Sequence, residues 1–84
     1  MEIEVKDFFA EQLLSCPDDF IYQFKKIFLH LEIADHPLEV KGINPTNNTT
    51  FFKIIIDESR IGLHYFKPEN KIVIVCFLYN QYHF

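Results

Sequence analysis

The sequence predicts an α+β domain in the order β-α-α-β-β-β, with two helices packed on one face of an antiparallel sheet. Three observations lead there. The C-terminal part reads as three runs rich in β-branched and aromatic residues, Thr50 to Asp57, Arg60 to Lys67 and Lys71 to Tyr79. Only Glu58-Ser59 and Pro68-Glu69-Asn70 separate them, and breaks this short make an antiparallel meander. Upstream, Phe20, Phe24, Ile27, Phe28 and Leu31 fall on one helical stripe. Finally, 84 residues at 49% hydrophobic, with ten Phe, suffice for one core, so residues 1–84 are expected to form a single domain.

Each element has its own local cause. Glu2-Ile3-Glu4-Val5-Lys6 alternates, which suits a short edge strand with Ile3 and Val5 inward. From Asp7 the pattern turns helical, with Phe9/Leu13 and Ala10/Leu14 as i, i+4 pairs. Ser15-Cys16-Pro17-Asp18-Asp19 restarts the helix, with proline suited to the first helical position and acids to the first turn. The second helix is expected over residues 18–34, its outer face carrying Asp19, Gln23, Lys26 and His30. It must end near Asp35-His36-Pro37, because the residue before a proline is pushed out of the helical region. Residues 37–50 read as one long connection: a semi-extended stretch to Ile43, then the loop Asn44 to Thr49.

The hairpin is where chemistry enters. With Glu58-Ser59 as a two-residue connection, Lys53 faces His64, Ile55 faces Gly62 and Asp57 faces Arg60. Phe52, Ile54, Ile56, Ile61, Leu63 and Tyr65 then line the helix-covered face, while Lys53, Asp57, Arg60 and His64 share the open one. Glu-Ser is not a favoured turn, and a three-residue loop would move the register by one. Arg60 is the only arginine. It serves either as a cross-strand ion pair with Asp57, worth about 0.2–1 kcal/mol, or as a phosphate contact. The last strand is apolar from Ile72 to Leu78, so both its faces should be covered. On the open face it joins Phe51, Ile55 and Phe66 in an apolar strip, which calls for a partner, a dimer or the returning tail Tyr79 to Phe84.

Composition removes several classes of function. No run approaches the ~18 apolar residues of a membrane span. The charged, alternating N-terminus is neither a signal nor a transit peptide, so a cytoplasmic location is expected. Seven lysines and one arginine stand against twelve carboxylates, a net charge of −4. That balance works against a nucleic-acid binder, and any RNA contact has to come from a local patch. Cys16 and Cys76 lack metal-ligand spacing and read as buried free thiols, and no cofactor or metal is expected.

The element order, the segment Pro37-Leu38-Glu39-Val40-Lys41-Gly42 and the hairpin pattern Lys53-x6-Arg60-Ile-x-x-x-Tyr65 resemble the RelE/ParE superfamily of bacterial type II toxin–antitoxin systems. The likeness covers nearly the whole chain, through short and mostly hydrophobic motifs. It implies a RelE-like fold and, in the RelE branch, a metal-independent, ribosome-dependent endoribonuclease that cuts messenger RNA. Lys53 matches the family's second-strand lysine and Arg60 its third-strand arginine, which hold the scissile phosphate. The ending Tyr82-His83-Phe84 resembles the Tyr-His-Tyr terminus of the YoeB subgroup, which makes His83, with His64 beside it, a candidate general base. The chain also departs from the family. Tyr79-Asn80-Gln81-Tyr82 stands where a fourth-strand Gly-His-Arg or Gly-Lys-Arg is common, Phe51 replaces a second lysine, and Phe84 lacks the tyrosine hydroxyl. Catalysis is therefore expected to be weakened or absent. The expected partners are a cognate antitoxin laid over the open sheet face, the ribosome with its message, and a second copy of the chain in isolation. Two alternatives stay open: a non-enzymatic interaction module on the same scaffold, and a ParE-like gyrase inhibitor.

Overall fold

A computed structural model describes residues 1–78 of the protein. The chain runs β1 (Glu2–Val5), α1 (Asp7–Leu14), α2 (Asp18–Ile33), β2 (Ile43–Pro45), β3 (Phe51–Ile56), β4 (Ser59–Phe66) and β5 (Lys71–Leu78). The strands form one sheet in the order β1-β5-β4-β3-β2. Both helices cover one face of it, and the α+β class holds. Two details differ from the sequence reading. The sheet is mixed, because β1 pairs parallel to β5 while the other pairs are antiparallel. The helical pair between β1 and the meander acts as a crossover, and a crossover is what returns a strand parallel to its neighbour. The connection 37–50 also holds an additional edge strand, β2, after a short 3-10 turn at Pro37–Glu39. Gly42, at φ +100°, makes the bend into β2, and a Cβ there would lie 3.1 Å from Ile27 Cδ1.

The core follows the predicted stripes. Phe20, Phe24 and Leu31 of α2 and Phe9 of α1 bury against Phe52, Ile54, Ile56, Ile61, Leu63, Tyr65, Ile72 and Ile74. Phe24 packs 5.3 Å from the Phe9 ring and 6.2 Å from the Phe28 ring, centroid to centroid. Ile3 and Val5 pack inward from the edge strand, as the alternation predicts. Leu14 is instead largely exposed, because α1 stops there. On α2 the outer face is less polar than the stripe suggests: Tyr22, Leu29 and Ile33 all stand in solvent. Cys16 and Cys76 are free thiols, half-buried rather than buried. Among the described residues, no helix is long and apolar enough to cross a membrane.

The hairpin register is corrected. The turn is Asp57-Glu58, not Glu58-Ser59, so Phe51 faces His64, Lys53 faces Gly62 and Ile55 faces Arg60. Asp57 takes a φ of +53° at the first turn position. Aspartate tolerates that left-handed geometry better than most side chains, which draws the turn toward it. The expected Asp57–Arg60 ion pair is therefore absent among the described residues. Arg60 Nη1 instead donates to the Glu58 carbonyl oxygen, at 3.4 Å.

A second irregularity lies between β4 and β5. Gly62 pairs with Cys76 but Leu63 with Ile74, so Val75 is an inserted residue, a β-bulge. In a straight strand Val73, Val75 and Phe77 would share one face. The bulge turns Phe77 inward, where it stacks 5.1 Å from Phe9 and 5.7 Å from Phe20. Cys76 and Leu78 join Val73 on the open face.

Candidate functional site

The open sheet face gathers three of the four candidate residues. On β4, Arg60, Gly62 and His64 are successive outward positions, and Lys53 on β3 lies directly opposite Gly62. Lys53 is thus diagonal to both Arg60 and His64, and diagonal neighbours stand roughly 7–8 Å apart. The slip from the expected pairing is two residues. Alternation has period two, so each side chain keeps its face while its cross-strand partner changes. His83, with Tyr82 and Phe84, lies outside the described residues.

An aromatic ring covers the centre of this triangle. Phe51 leans over Gly62 so closely that a Cβ at position 62 would lie 2.5 Å from Phe51 Cζ and 3.3 Å from Leu78 Cδ2. A glycine inside a strand commonly marks such a close approach. The ring also meets the His64 imidazole edge-on, centroids 4.8 Å apart. His64 is flanked on its other side by Phe66, at 6.2 Å. The arrangement combines two cations and an imidazole with a hydrophobic floor. Gly62→Val should drive the Phe51 ring off the strand. The obstructing atom is the tip of a side chain that can swing, so the cost is expected at about 1 kcal/mol, the low end for overpacking. The structural readout is the His64 ring-proton shift in NMR, which should move as the edge-on ring leaves. An unchanged shift would mean that the strand, not the ring, gives way.

At the β1 edge of the same face lies the only strong charge network among the described residues. Glu4 sits 2.9 Å from Lys6 Nζ and 3.0 Å from Lys71 Nζ. Hydrogen bonds from Lys6 and then Lys71 pull the Glu4 carboxyl down to about 2, and Glu4 in turn raises Lys71. Lys71 is thereby already paired and adds little to a phosphate site. The Glu4 carboxyl titrates lower folded than unfolded, so its contribution to stability is full above the usual carboxylate range. That contribution fades as pH falls from about 4.3 toward 2. Thermal melts over that window should therefore drop more steeply for the native chain than for Glu4→Gln. Parallel acid limbs would show that the pair, being solvent-exposed, contributes nothing measurable.

Sequence reasoning missed a further place. His36, read only as part of a helix stop, lines a cavity of about 470 Å³ where β3 begins and β4 ends, together with Thr50, His64, Tyr65, Phe66 and Lys67. Its signal in the sequence was slight: a histidine between a helix end and a proline, with no local motif.

No protein-family model matches the chain, and no curated protein matches it by sequence. Its architecture does match a solved structure. A chain of the RelB–RelE antitoxin–toxin complex from Methanococcus jannaschii superposes with a TM-score of 0.74, over 93% of this chain and 91% of that one. The fold is RelE-like. Sequence identity is 16%, a level at which the shared property is the fold itself. On this RelE-like scaffold Lys53, Arg60 and His64 occupy the sheet face that the two helices leave open, and His64 also lines the cavity beside the end of β4.

Proposed function

We propose that this chain is the toxin-like component of a toxin–antitoxin pair, acting as a RelE-type, ribosome-dependent messenger-RNA endoribonuclease of low activity. The observation that carries this reading is the convergence of Lys53, Arg60 and His64 on the open face of a RelE-like sheet. In the reaction, the ribose 2′-oxygen attacks the adjacent phosphorus and the bond to the 5′-oxygen breaks, leaving a 2′,3′-cyclic phosphate and a 5′-hydroxyl. One proton leaves the 2′-hydroxyl and one must reach the departing oxygen. An imidazole suits the first transfer at neutral pH, and His64 or His83, the two sequence candidates for the general base, would take this role. Lys53 and Arg60 would stabilise the charge that builds on the phosphorane oxygens. Low activity is expected because Arg60 is the sole guanidinium and the chain carries a net charge of −4. The test is induced expression in a bacterial host followed by mapping of message ends. Growth arrest with cuts in ribosome-bound messages is the expected result. A harmless chain that leaves those messages intact would remove the nuclease reading.

A second reading, a non-enzymatic interaction module, is favoured by the apolar surface. On the open face Phe66 is 44% exposed, and Phe51, Ile55, Cys76 and Leu78 are half-buried. On the opposite layer, Leu29 and Ile33, one turn apart on α2, are 61% and 84% exposed. An antitoxin segment, or a second copy of the chain, would cover such surface. Sedimentation at micromolar concentration is expected to show a dimer, or a chain soluble only with its partner. A concentration-independent monomer would leave association without support.

A further inference from the structure

We infer that the cavity at the β3/β4 strand ends is a nucleotide subsite that takes one unstacked base with its phosphate. The inference rests on the RNA-directed reading above but concerns binding, not cleavage. At about 470 Å³ the cavity falls in the ~300–1,000 Å³ range of small-ligand sites. Its lining is rich in residues with flat side chains, His36, His64, Tyr65, Phe66 and Pro68. Such surfaces accept any nucleobase by stacking, since every base presents a π-face. Thr49, Thr50 and Lys67 complete the lining with polar residues. These match a ribose and a phosphate.

The walls are also held in place. His36 accepts a hydrogen bond at Nδ1 from the Leu38 N–H, 3.1 Å away, so its proton sits on Nε2 and that nitrogen is a donor. The same ring packs edge-on against Tyr65 at 5.3 Å and Phe52 at 5.8 Å, which fixes its plane. On the other wall the loop before β3 is tied by Asn48. Its Oδ1 accepts from the Thr50 N–H at 2.9 Å and from the Thr50 hydroxyl at 2.8 Å. The Thr50 carbonyl in turn accepts from the Tyr65 N–H at 2.8 Å, which locks the loop to β4. Little reorganisation is then needed on binding. His64 belongs both to this lining and to the open face, so a strand with one base in the cavity would continue along that face toward Lys53.

The test is NMR titration of the full chain, following the His36 and His64 ring protons. Probes are the four ribonucleoside monophosphates, a short single-stranded RNA and inorganic phosphate. Saturable upfield shifts of the His36 imidazole, with a smaller response at His64, are expected with the monophosphates and the RNA, and not with phosphate alone. Tighter binding of the oligonucleotide would identify RNA as the source of the base, and tighter binding of a monophosphate would identify free nucleotide. His36→Asn keeps a side-chain cap for the Leu38 N–H but removes the ring, and should weaken binding by about tenfold, as expected for one stacking surface. Lys67→Ala, at an exposed position, should weaken binding of the monophosphates without removing the His36 shifts at saturation. Absence of saturable shifts with every nucleotide, or equal shifts with inorganic phosphate, would overturn the subsite. A chain that cuts messages yet binds no nucleotide here would overturn it while leaving the nuclease reading intact. A chain that binds nucleotides but cuts nothing would do the reverse.

Discussion

Phe24→Asp is expected to unfold the protein. Phe24 sits at the middle of α2, 4% exposed, with its ring against Phe9 and Phe28 and the sheet beneath. Removing a buried phenylalanine costs about 3–5 kcal/mol through lost transfer free energy and the cavity left behind. Placing an unpaired carboxylate in the same space adds several more, or forces the group to take up a proton. A chain of 84 residues has a total stability near the low end of ~5–15 kcal/mol, so the sum exceeds what it holds. Circular dichroism with denaturant titration should show a chain without a cooperative transition. Tyr22→Asp, on the solvent side of the same helix, is the control and should change stability by about 0.5 kcal/mol or less. A soluble, cooperatively folded Phe24→Asp protein would overturn the packing of α2 on the sheet.

Arg60→Ala is expected to abolish growth arrest and message cleavage while lowering stability by about 1 kcal/mol or less. The small structural effect follows from the corrected register. Arg60 stands opposite Ile55 rather than Asp57, and its one hydrogen bond among the described residues, to the Glu58 carbonyl, is long at 3.4 Å. The large functional effect follows from its chemistry, since no other side chain in the protein presents a planar fork of donors to two phosphate oxygens. Arg60→Lys should rescue poorly, because an ammonium keeps the charge but not the bidentate geometry. Thermal melts beside the growth and cleavage assays separate the two effects. A toxic Arg60→Ala protein with reduced stability would make Arg60 a hairpin brace and move the phosphate contact elsewhere.

The candidate face was largely legible in the sequence, and the way it was legible is instructive. Lys53, Arg60 and His64 were assigned to one side of the sheet from alternation alone, and they stand there although the pairing that supported the assignment was off by two residues. Their actual neighbours were not legible. Lys53 opposite Gly62, with Phe51 laid over that glycine, depends on which residue adopts the positive φ of the turn. Several short turns were available at Asp57-Glu58-Ser59, differing by amounts a local rule does not resolve. His36 was invisible as a site residue for a different reason. The cavity it lines is assembled from the end of α2, the loop before β3 and the end of β4, which meet only in three dimensions.

By itself the sequence determined the element types, the inward stripe of α2, the inner and outer faces of β3 and β4, and the presence of a single guanidinium. These are properties of a segment's own residues, repeated at periods of 3.6 and 2, and they survive whatever the segment packs against. Only the tertiary structure decided the parallel pairing of β1 with β5, the added edge strand β2, the Asp57-Glu58 turn and the bulge at Val75 that sends Phe77 into the core. Each of these is a choice among pairings that look nearly alike to the local chain. The choice falls to contacts between residues far apart in sequence, such as Phe77 with Phe9 and Phe20, which exist only once the layers have closed.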